Sequence, residues 1–147
     1  MYAKPTPLID LRGRYSRNWW SRVEGGIFIV EDNPVINDLI SWRLTELGFS
    51  VMGTAEDYLG ALEKLEQYTP DKRPKLVLMD INLPGEKDGI MAAEEIQNKF
   101  SIPIVYISSV MDDPTIERAK LTKPRGFIVK PFTDNQLKAT VEMALQK

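Results

Sequence analysis

From Gly26 onward, short apolar segments alternate with segments in which apolar residues recur every three or four positions. The short segments predict strands near 27–30, 50–54, 76–79, 104–107 and 127–129. The periodic segments predict helices near 34–47, 57–68, 89–100, 114–120 and from 133 onward. This alternation favours an α/β fold in which helices cover both faces of a parallel sheet.

Local signals agree with this order of elements. Asn33 can cap and Pro34 can open the first helix, and Asp88 has the position of a cap before Gly89. Residues 76–79 are apolar at every position, which is typical of a strand buried on both faces. We therefore expect a flavodoxin-like (βα)5, doubly wound parallel five-stranded sheet with strand order 2-1-3-4-5.

Polar residues that could take part in binding or catalysis follow four of the predicted strands. Glu31 and Asp32 follow the first, Asp80 the third, Ser108 the fourth and Lys130 the fifth. Ligands bind such sheets at the carboxyl ends of the strands, where the strand order reverses. Adjacent strands lie about 4.8 Å apart, so a side chain from the fifth strand must be long to reach the third. Lysine meets that need.

These residues predict a metal-assisted aspartyl-phosphate site. Glu31, Asp32 and Asp80 would bring three carboxylates together, which raises a pKa unless a cation neutralises them. Magnesium suits an oxygen site of this kind. Asp80 would be the nucleophile that accepts a phosphoryl group, while Lys130 and Ser108 would stabilise its oxygens. No general base is needed, because a carboxylate is already ionised near neutral pH.

The composition of the chain limits which metals and which kinds of partner it could bind. The 147 residues include no histidine and no cysteine, so oxygen must hold any metal, which favours magnesium or calcium over zinc. No apolar stretch approaches the roughly 20 residues that cross a bilayer, and we expect a soluble, cytoplasmic protein without a membrane partner. Residues 26–147 carry 14 basic and 19 acidic side chains, and this acidic balance argues against direct nucleic-acid binding.

We divide the chain into residues 1–25, an N-terminal extension, and residues 26–147, one folded domain. The extension carries five basic and two acidic side chains, with aromatic residues between them. It could be a docking peptide, an added helix or non-native sequence, and we expect an appendage with no essential role. Trp42, outside the main apolar stripe of the first helix, could mark a partner surface or be partly buried.

Four short motifs together resemble a known family. They are Val30-Glu31-Asp32, the sequence LMDINLP at 78–84, Ile107-Ser108-Ser109 and Val129-Lys130-Pro131-Phe132. In this order they are similar to the receiver domains of bacterial two-component response regulators, over about residues 26 to 147. The loop 85–89 is one residue longer than in most receivers. Serine replaces the more frequent threonine at 108, and Glu31 stands where Asp is commoner.

The resemblance implies roles for individual residues. Asp32, Asp80 and the backbone carbonyl of Asn82 would bind Mg²⁺ or Mn²⁺. Glu31 would serve the same metal through a water molecule. Asp80 would accept phosphate from a histidine kinase or phosphotransfer protein.

A second group of residues is implied to transmit the signal. Ser108 would be the switch hydroxyl, Phe127 the switch aromatic, and the bond between Lys130 and Pro131 would be cis. The downstream partner would bind the face of the fourth helix, fifth strand and fifth helix, and a homodimer is left open. The protein would catalyse only its own phosphorylation and dephosphorylation.

Other functions remain open from the sequence. A magnesium-dependent phosphohydrolase could use the same Asp80 nucleophile, but such enzymes generally need a second acid two residues later, where this chain has Asn82. A receiver-like interaction module would not need phosphate at all. Individually, Asp32 could be a helix cap, Ser108 could satisfy backbone groups, and Phe127 could be a core residue.

Overall fold

The computed structural model describes residues 26–109 and 112–146. Five parallel strands form one sheet in the order β2-β1-β3-β4-β5, which confirms the predicted topology. The strands are β1 (Ile27–Val30), β2 (Val51–Ala55), β3 (Leu76–Asp80), β4 (Ile104–Ser108) and β5 (Gly126–Val129). The order reverses between β1 and β3, so their carboxyl ends lie side by side.

Five helices follow the strands. They are α1 (Pro34–Glu46), α2 (Tyr58–Glu66), α3 (Gly89–Phe100), α4 (Asp113–Leu121) and α5 (Asp134–Leu145), with a short 3-10 turn at Pro70–Lys72. Each helix has a side chain at its N-cap that accepts a backbone N–H: Asn33, Asp57, Asp88, Asp112 and Thr133. The caps therefore fix where each helix leaves the loops at the carboxyl edge of the sheet.

Most element boundaries differ from the sequence-based expectation by one or two residues, and two elements illustrate this. The helix expected over 57–68 spans Tyr58–Glu66, because Asp57 has extended backbone and caps it. The strand expected over 50–54 is Val51–Ala55, although the Ser50 carbonyl still accepts the first N–H of β1. Both differences lie at element ends, where boundaries are least defined.

The core consists of two apolar layers, one on each face of the sheet. One layer contains buried residues of α1 and α5, and the other contains those of α2, α3 and α4. All residues of β1, β3 and β4 are buried, as expected for strands covered on both sides. Trp42 on α1 is 61% exposed and belongs to neither layer. Within the described ranges, no helix has both the length and the apolarity to cross a bilayer.

Candidate functional site

The carboxyl ends of β1 and β3 bring three acidic side chains together. Val30 pairs with Met79, so the residues that follow them become neighbours. Each of Glu31, Asp32 and Asp80 offers a carboxylate oxygen within 4.8 Å of the other two. Glu31 and Asp80 are buried, with 2% and 5% of their surface exposed, whereas Asp32 is exposed to solvent. The cluster thus has two buried carboxylates, and solvent reaches it at the third, Asp32.

Asp80 is oriented by the backbone that follows it. Its Oδ1 accepts a hydrogen bond of 3.0 Å from the backbone N–H of Asn82. Its Oδ2 lies 3.9 Å from the ammonium nitrogen of Lys130, which is a salt-bridge distance rather than a hydrogen bond. One carboxylate oxygen is therefore fixed by the backbone, while the other faces the lysine.

The closest partner of Lys130 is Glu31 rather than Asp80. The Lys130 Nζ lies 2.6 Å from Glu31 Oε1, and Glu31 Oε2 accepts the backbone N–H of Asn33 at 3.1 Å. A buried carboxylate needs such partners, because an unpaired charge beside the core is costly. The lysine is held in position by Ser108, whose carbonyl accepts the backbone N–H of Lys130. The long side chain does span two strands, as its position required.

Asp32 shows the electrostatic cost of the cluster. A hydrogen bond to Glu31, which favours the protonated acid, raises the pKa of Asp32, and partial burial and the charge of Glu31 raise it further. The interaction of Asp32 with the Asp80 side chain and the backbone hydrogen bond of Asp32 itself lower the pKa and partly offset this rise. The three oxygen ligands and this crowding of negative charge fit a hard divalent cation such as Mg²⁺.

Ser108 ends β4 one strand from Asp80 and is completely buried. Asp80 pairs with Ile107, so Ser108 is one residue beyond the level of the aspartate. The side-chain amide of Asn82 donates a hydrogen bond of 3.3 Å to the Ser108 hydroxyl oxygen. The structure therefore brings Ser108 into contact with the loop that follows Asp80, and Asn82 contributes its side chain as well as its backbone.

Phe127 lies on the next strand and is half-buried. Its ring stacks on that of Tyr106, with centroids 5.8 Å apart and planes inclined by 30°. After β5, the peptide bond between Lys130 and Pro131 is cis. The strand pattern places Tyr106 in the core but does not single it out for a role at the site. Its even spacing from Ser108, which puts both on one face of the sheet, was the signal that could have done so.

The loop after β3 leads through Asp88 into α3. Asp88 caps α3 by accepting the backbone N–H of Met91, and its second oxygen binds Arg118 of α4 at 2.9 Å. Both carboxylate oxygens of Asp88 therefore have partners outside the acidic cluster, in agreement with the expected role as a helix cap. The first residue of α3, Gly89, packs directly on the backbone carbonyl of Asp80.

Comparison with known proteins identifies the family. The family model of the response regulator receiver domain matches residues 27–142. The chain belongs to the response regulator receiver family. The receiver is 34% identical over 121 residues to the transcriptional regulatory protein PdtaR of Mycobacterium tuberculosis, covering 82% of this chain and 57% of that protein. It is 33% identical over 120 residues to the chemotaxis protein CheY of Bacillus subtilis, of which it covers 96%.

Solved structures of receiver domains are also similar to this chain. The signal receiver domain of a modulated diguanylate cyclase from Desulfovibrio desulfuricans superposes with a TM-score of 0.73 at 33% identity, over 82% of this chain and 92% of that one. The BeF3-activated receiver domain of Klebsiella pneumoniae RstA gives 0.72 at 28% identity, over 83% and 99%. The receiver spans a little over half the length of PdtaR, so the activity of that whole regulator does not transfer to it directly.

Proposed function

We propose that this receiver accepts a phosphoryl group on Asp80 from a histidine kinase or phosphotransfer protein and switches a partner-binding surface in response. The observation that carries the proposal is the pairing of a buried, backbone-oriented Asp80 with two further carboxylates and Lys130 at one edge of the sheet. A structural salt bridge would need only one carboxylate. The excess of negative charge favours a site built for a cation and a phosphoryl group.

The transfer is a displacement at phosphorus. An Asp80 carboxylate oxygen attacks in line, a P–O bond forms, and the P–N bond to the donor histidine breaks, with the electron pair and then a proton going to the histidine nitrogen. Lys130 stabilises an equatorial phosphoryl oxygen, since its Nζ already lies between Glu31 and Asp80. The Ser108 hydroxyl stabilises another. A carboxylate nucleophile needs no deprotonation, which agrees with the absence of histidine.

Mg²⁺, or Mn²⁺ in its place, fits the acidic cluster. Asp32 and Asp80 would hold it directly with the backbone carbonyl of Asn82, and Glu31 would meet it through water because it already binds Lys130. Bound there, the ion would supply positive charge to the carboxylates and to the phosphoryl oxygens.

The proposed switch passes from Ser108 to Phe127. When Ser108 moves toward the phosphoryl group, Phe127 fills the space that it leaves, and the face formed by α4, β5 and α5 changes its affinity for a downstream protein. Phe127 is half-buried at present and would bury more of its ring on moving inward. Phosphorylation can shift the equilibrium between the two conformations only by the difference between the free energies with which the phosphoryl group interacts with each of them.

Incubation with a small phosphodonor such as phosphoramidate tests the proposal. We expect a stoichiometric, acyl-phosphate mass increase of the intact protein that requires Mg²⁺, is abolished in EDTA and is absent in Asp80→Asn. Asp38→Asn, an exposed change on α1, is the matched control and should be modified like the wild type.

Three results would contradict the proposal. Modification of Asp80→Asn would remove the residue assignment. Steady turnover of a phosphate ester would favour the phosphohydrolase. Partner binding that survives Asp80→Ala and ignores phosphorylation would favour the phosphate-independent module.

A further inference from the structure

Tyr106 lies between the proposed switch residues and α4. It is fully buried in β4, pairs with Phe127 across the ladder and stacks on the Phe127 ring. Because Tyr106 and Ser108 are two residues apart on one strand, their side chains point to the same face of the sheet. Ala119 of α4 lies in the apolar layer on that face. Phe127 therefore lies against Tyr106 on the face of the sheet that also carries the Ser108 side chain.

The Tyr106 hydroxyl has a defined hydrogen-bond direction. Its oxygen lies 2.7 Å from Thr122 Oγ1, at the C-cap of α4. Thr122 carries a single hydroxyl hydrogen, which it donates to the Ala119 carbonyl at 2.6 Å, so Tyr106 must be the donor to Thr122. Burial raises the pKa of Tyr106 to about 12, which keeps this hydrogen in place at neutral pH. The ring is thus held at its hydroxyl end by α4.

Helix α4 has few other attachments that would oppose its movement. Ala119 is the one fully buried side chain among its described residues. The Arg118–Asp88 ion pair connects α4 to the cap of α3, but half of the Arg118 side chain is exposed, and exposed pairs contribute little. The hydrogen bond from buried Tyr106 is therefore a large part of what fixes the end of this helix.

We propose that Tyr106 and Thr122 are positioning residues that hold Phe127 and α4 in the conformation seen here and so oppose the phosphate-driven change. The inference rests on the proposed function, since it needs a ligand that favours the switched state. The Phe127 ring must leave its present place against Tyr106 for the switch to occur. A Tyr106 ring that is free to turn opposes this movement less, so removing its hydrogen bond lowers the cost of switching.

Beryllofluoride binding in saturating Mg²⁺, measured by titration calorimetry, tests the inference. We expect Tyr106→Phe and Thr122→Val each to bind beryllofluoride about threefold to tenfold more tightly than the wild type, the range that corresponds to one lost hydrogen bond. The double variant should gain little beyond either single change. Thr122→Ser keeps the hydroxyl and should bind like the wild type, and the affinity for Mg²⁺ alone should not change.

Tyr68→Phe is the matched control. It removes a hydroxyl that donates to the Met52 carbonyl from a partly buried tyrosine in the same apolar layer, remote from α4. Its beryllofluoride affinity should equal that of the wild type. If Tyr106→Phe does not fold, Thr122→Val and Thr122→Ser decide the question between them.

The outcomes separate the two proposals. Unchanged or weaker beryllofluoride binding in Thr122→Val would overturn the inference and leave the proposed function intact. An equal rise in affinity in Tyr68→Phe, or a parallel shift in Mg²⁺ affinity, would also overturn it, because either would indicate a general loosening of the fold. A wild-type protein that binds Mg²⁺ but no beryllofluoride would overturn the proposed function and the inference with it.

Discussion

Gly89 allows α3 to begin directly against the backbone of the proposed phosphoacceptor. A Cβ built at Gly89 would lie 1.9 Å from the Asp80 carbonyl oxygen and 2.8 Å from its carbonyl carbon. Both atoms are backbone, so no side-chain rotation relieves the overlap. Gly89→Ala must therefore move the start of α3 away from β3 by about 1 Å or more, since carbon and oxygen in contact need about 3 Å or more.

That displacement has a calculable cost. The Gly89 N–H donates to the Ile81 carbonyl at 2.8 Å, and an added 1 Å would break this hydrogen bond, a loss of about 1 kcal/mol. Overpacking at a buried position adds about 1–3 kcal/mol. Alanine regains up to about 1 kcal/mol of helix propensity. We expect a net loss near 2 kcal/mol in the free energy of unfolding, or roughly 6–8 °C in melting temperature.

Urea unfolding followed by circular dichroism measures this change. Asn98→Ala is the matched control because it introduces the same residue on an exposed position of α3, and surface changes of this kind stay within about 0.5 kcal/mol. We also expect weaker Mg²⁺ binding in Gly89→Ala, since the shift distorts the backbone of Asp80. A variant as stable as the wild type, with unchanged Mg²⁺ affinity, would refute the close approach of the two segments.

Two further predictions follow from the charges of the site. The raised pKa of Asp32 makes the folded metal-free protein bind a proton more tightly than the unfolded chain, so stability in EDTA should fall as pH rises from 3.8 through the folded pKa. Asp32→Asn should abolish this loss, worth less than about 1 kcal/mol at so exposed a group, and urea titrations at pH 3.5 and 7 measure it. Lys130→Met removes the ammonium partner of the buried Glu31 carboxylate and should cost about 3–5 kcal/mol of stability in EDTA. Lys120→Met, which breaks only an exposed pair, is its control, and equal stability of the two variants would contradict the pairing.

The fold was predictable because its signals are local and mutually consistent. Apolar strands, capped helices and the alternation between them specify a parallel sheet, and the strand order then brings Glu31, Asp32 and Asp80 together. The need for a long side chain at Lys130, two strands from Asp80, was predictable from the strand order and the spacing between strands. These inferences use backbone periodicity, which the sequence displays directly.

Side-chain pairing was less accessible from the sequence. The preference of Lys130 for Glu31 over Asp80 depends on a difference between 2.6 and 3.9 Å, which follows from rotamers and not from spacing. The hydrogen bond between Tyr106 and Thr122 depends on how α4 packs on the sheet. The interpretation of residues 1–25 lies outside the described residues and stays a prediction.

The charges at the site explain why its components are needed together. Three carboxylates against one lysine leave an excess of negative charge before any phosphoryl group arrives. Forming an aspartyl phosphate adds further negative charge, and Lys130 offsets it poorly while its closest partner is Glu31. A divalent cation among the same oxygens would remove the excess and weaken the hold of Glu31 on the lysine. Phosphorylation and Mg²⁺ binding should therefore be linked through Lys130, and replacing it should reduce the dependence of beryllofluoride affinity on Mg²⁺ concentration.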